Sequence, residues 1–432
     1  MLKDTLAIGE LKKVDEKIQA QETSQSRTKV SIEDVKEAVL KHFPKLWNMV
    51  EATLANFATL LLKNNANCSA LVFEGDSSTG KSTVLKMFYP SKETQHLLYR
   101  SDDFTPKSFV SHHANKSEKE RAKADMLPKI NKKMLIYSDL QTLLTKREED
   151  QTELLGMLGK VLDGEGLTRD TGTCGQRGYT DDNYIFASLF ATTPIGWKSW
   201  EIMSKCGTRM MFYKIDKENI TASLLKEGLK DNFYNSTISY SERVKECRDV
   251  VQKFLLSLWD RYGGFGSMIF KDSQVQENIK DEIITLALFV TRARGQLRMW
   301  EIKNGDGEFD YEPPRIESPE RIMTLLLNLG KGRALLYGRK VISEDDYAFL
   351  KHVAISSMPQ NRYVLIRHML MTDGRIGTED EGKFDLTYKM LLRAMSELRA
   401  LGLAEDDYGE ESALAVGRPR KKIKLKPDFI IF

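Results

Sequence analysis

The chain has 432 residues, 41% hydrophobic and 29% charged, with a formal net charge of +3. That length calls for two to four domains and that composition for a soluble globular protein, not a fibrous or membrane-spanning one. So small a charge excludes a nucleic-acid argument from the whole chain, and any such role must rest on a local patch.

Residues 1–30 are rich in Lys, Glu, Gln, Ser and Thr and read as a charged helix or a disordered arm. They lack the long apolar core of a signal peptide. Ser31-Ile-Glu-Asp carries a capping signature with acids in the first turn, and predicts an amphipathic helix. A second helix is expected over Leu46 to Leu62. Ala70-Leu71-Val72-Phe73 then reads as a short buried strand. It runs into Gly75-Asp76-Ser77-Ser78-Thr79-Gly80-Lys81-Ser82-Thr83, which fits G-x-x-x-x-G-K-[ST] at every fixed position. Val84 to Phe88 continue as a helix. In that strand–loop–helix setting, backbone N–H groups curl around a polyphosphate and the helix N-terminus adds partial positive charge. Lys81 would reach the β- and γ-phosphates of ATP and Ser82 would ligate Mg²⁺.

Further strands are expected at His96–Tyr99, Met134–Tyr137, Tyr184–Ala191 and Met210–Ile215, with helices between them such as Asp150–Leu162. Such alternation predicts a parallel sheet covered by helices on both faces, an α/β phosphate-loop core. Met134-Leu-Ile-Tyr-Ser138-Asp139-Leu140 is an apolar strand ending in an acid. Asp139 is the candidate to hold Mg²⁺ and orient water. Where two acids are usual, the pair here is Ser138-Asp139 or Asp139-Leu140. Leu143 favours the first, by analogy with Asp-Glu-x-x-x-Leu. Phe190-Ala-Thr192-Thr193-Pro194 closes a strongly apolar strand, where a polar residue could contact the γ-phosphate or the attacking water. Gly207-Thr208-Arg209 precedes the last strand and holds an arginine at its edge.

Taken in order, these pieces resemble the AAA+ ATPase superfamily over about residues 35 to 355. The resemblance implies an αβα core, a helical lid and a hexameric or related ring, with Arg209 acting in trans and Thr193 as first sensor. It also implies a second, lid-borne sensor arginine. Arg321 in Ser318-Pro-Glu-Arg is the best match, with Arg292 and Arg294 as rivals. Leu154 to Gly166, followed by Arg169, Gly172, Gly175, Arg177 and Gly178, looks like the hairpin that precedes sensor 1 in minichromosome-maintenance helicases and bacterial enhancer-binding activators. On that resemblance Arg169 and Arg177 would contact DNA in the ring's pore. The Gly-Ala-Phe-Thr-Gly-Ala sequence of the enhancer-binding group is missing, which counts against a sigma-factor partner.

From about Lys217 to Ala354 the periodicity is helical, interrupted by a Gly- and Asp-rich break at Lys303-Asn-Gly-Asp-Gly-Glu. The lid segment Gly332 to Asp346 looks much like that of MoxR-type chaperones. The last block pairs a helix over Arg362–Met371 with a longer one over Thr387–Leu401. Two short strands follow, around Gly417-Arg418-Pro419-Arg420-Lys421-Lys422. Met390, Leu391, Ala394, Met395 and Leu398 share one helical face. Lys389 and Arg393 lie off it, free to enter a major groove. Arg418, Arg420, Lys421 and Lys422 form a basic tip suited to phosphates. The block resembles the winged-helix domains of small transcriptional regulators.

The expected division is a polar arm (1–30), an ATPase core with its N-terminal helices (31–216), a helical lid (217–355) and a winged-helix domain (356–432). The four cysteines, Cys68, Cys174, Cys206 and Cys247, are scattered and form no C-x-x-C pair, so no zinc site or disulfide framework is suggested. A cytoplasmic setting fits. The longest apolar run, around Ile283 to Val290, is too short to span a bilayer. The expected activity is that of an ATP-hydrolysing motor or loader on DNA, assembled as a homo-oligomeric ring. The alternatives are a remodeller of protein clients and a nucleotide-dependent transcription regulator or defence switch.

Overall fold

A computed structural model describes residues 30–111, 117–172, 175–180, 183–207, 209–215, 238–270, 277–302, 308–407 and 421–429. The polar arm, Thr208, Arg418 and Arg420 lie outside the described residues. Ser31 opens α1 (Ile32–His42) with a reciprocal box. Asp34 N donates to Ser31 Oγ (3.2 Å), and Ser31 N donates to Asp34 Oδ2 (2.7 Å). Helix α2 (Trp47–Ala58) is buried along almost its whole length, packed on the central sheet and on a later helix. It stops short of Leu62 because Thr59–Leu61 tighten into a 3₁₀ turn.

Five strands form the central sheet: β1 (Ser69–Glu74), β2 (Leu98–Ser101), β3 (Met134–Tyr137), β6 (Ala187–Thr192) and β7 (Met210–Lys214). Their order is β2-β3-β6-β1-β7 and every pairing is parallel. β1 and β6 are buried at every position, as a sheet covered on both faces requires. Helix α3 (Lys81–Met87) follows β1. Helix α4 (Glu148–Leu162) leads into an antiparallel hairpin, β4 (Leu167–Thr171) and β5 (Gly175–Tyr179), which precedes β6. Helix α5 (Trp197–Cys206) links β6 to β7.

Beyond the sheet come α6 (Tyr240–Tyr262), α7 (Glu277–Arg294), α8 (Glu320–Leu336) and α9 (Glu344–Ser356). The Gly-rich break between α7 and α8 is flanked by a short antiparallel pair, β8 (Met299–Glu301) and β9 (Phe309–Tyr311). Each triplet carries aromatic residues that favour a strand, and residues 303–307 between them lie outside the described residues. The last module runs α10 (Gln360–Met371), β10 (Arg375–Gly377), α11 (Tyr388–Ala400), β11 (Ala404–Asp406) and β12 (Lys422–Leu425), with strand order β10-β12-β11. Residues 408–420, where the first of the two strands around the basic tip is expected, lie outside the described residues. The buried face of α11 is Leu391, Leu392, Ala394, Met395 and Leu398, while Met390 is exposed. Packing against α10 turns the helix so that Leu392 replaces Met390.

Arg362 staples this module to the rest. It is wholly buried, donating from Nε to Glu397 Oε2 (2.8 Å) and from Nη1 to the carbonyls of Ala293 (2.8 Å) and Gly295 (2.9 Å).

Candidate functional site

The phosphate loop leaves the carboxyl end of β1, where parallel sheets hold ligands. Gly80 has φ +88°, and a Cβ there would lie 2.3 Å from Leu46 Cδ2, so only glycine fits. Ser78 also has positive φ. Lys81 is nearly buried. Its Nζ donates to the carbonyls of Gly75 (2.6 Å) and Asp76 (2.7 Å) and to Thr79 Oγ1 (3.2 Å). Burial pulls the Lys81 pKa down, opposed by the charges of Asp76 and Asp139. Ser82 stands exposed in the first turn of α3, and Thr83 Oγ1 meets Tyr240 Oη at 2.8 Å.

The same edge gathers two more of the sequence candidates. Gly75 N donates to Thr192 O (3.3 Å), which sets Thr193 directly beside the loop. Asp139 follows β3, accepts from Gln141 N (2.9 Å), and is close enough to act on the Lys81 charge. Ser138, where a second acid is usual, donates to Asp102 Oδ1 (2.9 Å), at the end of the neighbouring strand β2. The Arg100 hydrogen bond, then that of Ser138, keeps the Asp102 carboxyl below its usual range. Sequence reading missed Asp102, because only the β2–β3 register brings it alongside. Residues 75–83 with Asp139 fit a nucleotide polyphosphate and Mg²⁺. The loop is a cradle that a Cβ would fill, its ammonium turns inward, and hard oxygen donors stand at Ser82 and Asp139.

The other candidates lie elsewhere. Met210 pairs with Ala70, so Arg209 stands beside Ser69, six residues back along β1 from Gly75. At 3.3 Å per residue that is about 20 Å from the phosphate loop. Arg209 is bound to Asp163 at the end of α4, with Nε to Oδ1 and Nη2 to Oδ2 both at 2.8 Å. Arg321 joins the same carboxylate, Nη2 to Oδ1 at 3.8 Å. The two arginines thus form one cluster, away from the chain's own loop. The rivals are used in packing. Arg294 is buried and donates to Ser357 O and Met210 O (2.7 Å each), and burial pulls its pKa down to about 10. Arg292 donates to Leu401 O (3.2 Å).

Arg169 and Arg177 face each other across the β4–β5 hairpin. Both turn back onto the protein rather than outward. Arg169 donates to Pro106 O (2.9 Å). Arg177 donates to Ser111 O and to the buried Asp125, each at 2.5 Å. A buried carboxylate at Asp125 needs a counter-charge, which draws Arg177 inward.

In the last module Lys389 and Arg393 lie off the buried face as expected. Lys389 pairs with Glu301 (2.5 Å), Lys421 with Glu308 (4.0 Å) and Lys422 with Glu379 (2.9 Å). Arg393 bonds Glu397 (3.3 Å) and lies over the Trp197 ring at 5.9 Å. The lysine pairs are exposed and weak, so phosphates can compete for them.

No family model matches this chain, and no curated protein does. Among solved structures it is similar to a full-length MCM homolog from Methanopyrus kandleri, with 10% identity and a TM-score of 0.41. The likeness covers 76% of this chain and 59% of that one, so the chain spans less than two thirds of its neighbour. Likeness at that level assigns a role to no residue. Among the described residues no helix is long and apolar enough to cross a membrane, and no cluster of three His, Cys, Asp or Glu could hold a metal.

Proposed function

We propose that the chain is an ATPase of the AAA+ kind, working as a homo-oligomeric ring and acting on DNA as a motor or loader. Its parts are a core over 31–216, a lid over 217–355 and a winged-helix module over 356–432. The observation that carries this reading is the separation of two half-sites. The phosphate loop, Asp139 and Thr193 share one sheet edge, while Arg209 and Arg321 share a cluster about 20 Å along β1, beyond an arginine's reach. Side by side, two copies complete what one copy splits. Lys81 would leave its loop carbonyls for the phosphates, Ser82 and Asp139 would hold Mg²⁺, and Asp139 would orient the attacking water. Bound Mg²⁺ supplies neutralisation of phosphate charge. Arg209 would stabilise transition-state charge across the boundary.

Mixing subunits tests this directly. Lys81→Ala and Arg209→Ala proteins, each inactive alone, should regain hydrolysis when mixed, because some interfaces then hold both residues. Normal turnover by Arg209→Ala alone would remove the trans role.

The DNA reading rests on the helix–strand–helix–strand–strand order of the last module and its basic side chains. The second reading is a remodeller of protein clients. It is favoured by the acids Glu301 and Glu308 already standing against Lys389 and Lys421. Stimulation of ATP hydrolysis by duplex DNA supports the first reading, and stimulation by an unfolded polypeptide alone supports the second.

A further inference from the structure

Asp163 lies at the C-terminal end of α4, and its carboxylate takes Arg209 in a bidentate pair. Arg209 Nη1 is spent on the carbonyls of Cys206 (2.7 Å) and Gly207 (2.8 Å). Four of the guanidinium's five N–H donors are therefore engaged within the chain. The surroundings are shaped around this pose. Gly207 has φ +75°, and a Cβ on it would come 2.7 Å from Arg209 Nη1. A Cβ on Gly159, inside α4, would come 3.3 Å from the same nitrogen. The side chain of Arg209 is 16% exposed, whereas Arg321, 3.8 Å from the same carboxylate, is 36% exposed.

We propose that Asp163 is a positioning residue that stores Arg209 in the unassembled subunit and releases it on assembly, with Arg321 taking over the carboxylate. This rests on the reading that Arg209 serves a neighbour's nucleotide. Gripping a phosphate with both prongs of the fork needs two N–H groups on one edge. The stored guanidinium offers one. Arg209 must leave Asp163 before it can act, and leaving would strand a carboxylate that is three-quarters buried. Arg321 already stands within ion-pair distance and removes that penalty. The storage contact competes with the interface, so its strength sets how much protein is needed for activity.

The test is ATPase activity as a function of protein concentration, with the full chain. Asp163→Asn keeps the side chain's shape and removes its charge. It should lower the half-maximal protein concentration by about 5- to 10-fold, with turnover at saturation within about twofold of wild type. Gly159→Ala provides an independent arm, since it favours the helix while crowding the stored guanidinium. It should shift the half-maximal concentration in the same direction, by about 2- to 5-fold. An unchanged or raised half-maximal concentration in both variants, or an Asp163→Asn protein as inactive as Arg209→Ala, would overturn the storage role. Arg209→Ala is the separate control. Should it turn over normally at every concentration, the shared-site reading fails, whatever Asp163 does.

Discussion

Glu74 and Lys214 close the ends of adjacent strands β1 and β7, and both are almost fully buried. Lys214 Nζ donates to Glu74 Oε2 (2.8 Å) and to Gln360 Oε1 (2.9 Å), while Glu74 Oε1 accepts from Ile195 N (3.0 Å). Burial lowers the Lys214 pKa, and the Glu74 charge and hydrogen bond oppose it. Replacing Glu74 with Gln leaves a buried ammonium without its counter-charge. Breaking one side of such a pair costs about 3–5 kcal/mol. At about 2–4 °C per kcal/mol, that lowers the melting temperature of the core by about 6–20 °C. Lys214→Met strands the carboxylate and should cost a similar amount. The double variant strands neither charge, so it should be more stable than the sum of the two single losses by about 2 kcal/mol or more. Urea titration and thermal melting of the four proteins measure the cycle. A Glu74→Gln protein within about 1 kcal/mol of wild type, or a strictly additive double variant, would show that the two buried charges do not depend on each other.

Gly80→Ala forces a left-handed residue against Leu46. It should cost about 2 kcal/mol of stability and weaken ATP binding at least tenfold by calorimetry. Asp346 is fully buried between Arg333 and Arg339. Burial pushes its carboxyl up, but the Arg339, Ser343 and Arg333 hydrogen bonds prevail and hold it below its usual value. A depressed pKa gives stability that is full above about 3.8 and lost as pH falls through the folded value. Asp346→Asn should therefore cost about 3–5 kcal/mol at pH 7 and flatten the acid limb of the stability curve, as read by denaturant titrations from pH 7 to 2. Replacing Arg420, Lys421 and Lys422 with Ala should shrink the slope of log affinity against log salt for duplex DNA by about 2.7, at about 0.9 per phosphate contact. Basal ATP hydrolysis should be unchanged.

The local frame was readable because it depends on local signals. Periodicity and turn residues located the five sheet strands to within about three residues and the phosphate loop outright. The capping box at Ser31 was visible as letters. Long-range pairings were not. Nothing near Ser138 announces that Asp102 stands beside it, since a parallel sheet sets that register 36 residues away. Nothing around Arg177 announces Asp125, which captures it from 52 residues upstream. The rotation of α11 that exposes Met390 and buries Leu392 is a packing outcome, and the apolar pattern allows either. Arg209 and Arg321 were read as separate features because Asp163, which gathers them, looks in sequence like an ordinary helix end.

On the proposed function, residues 75–83 bind ATP and help to hydrolyse it. Radiolabelled ATP turnover with Mg²⁺ by the purified protein, beside Lys81→Ala, tests it most directly. The expected result is Mg²⁺-dependent release of phosphate that the substitution abolishes, together with a large loss of ATP binding. Equal turnover in both proteins would contradict it.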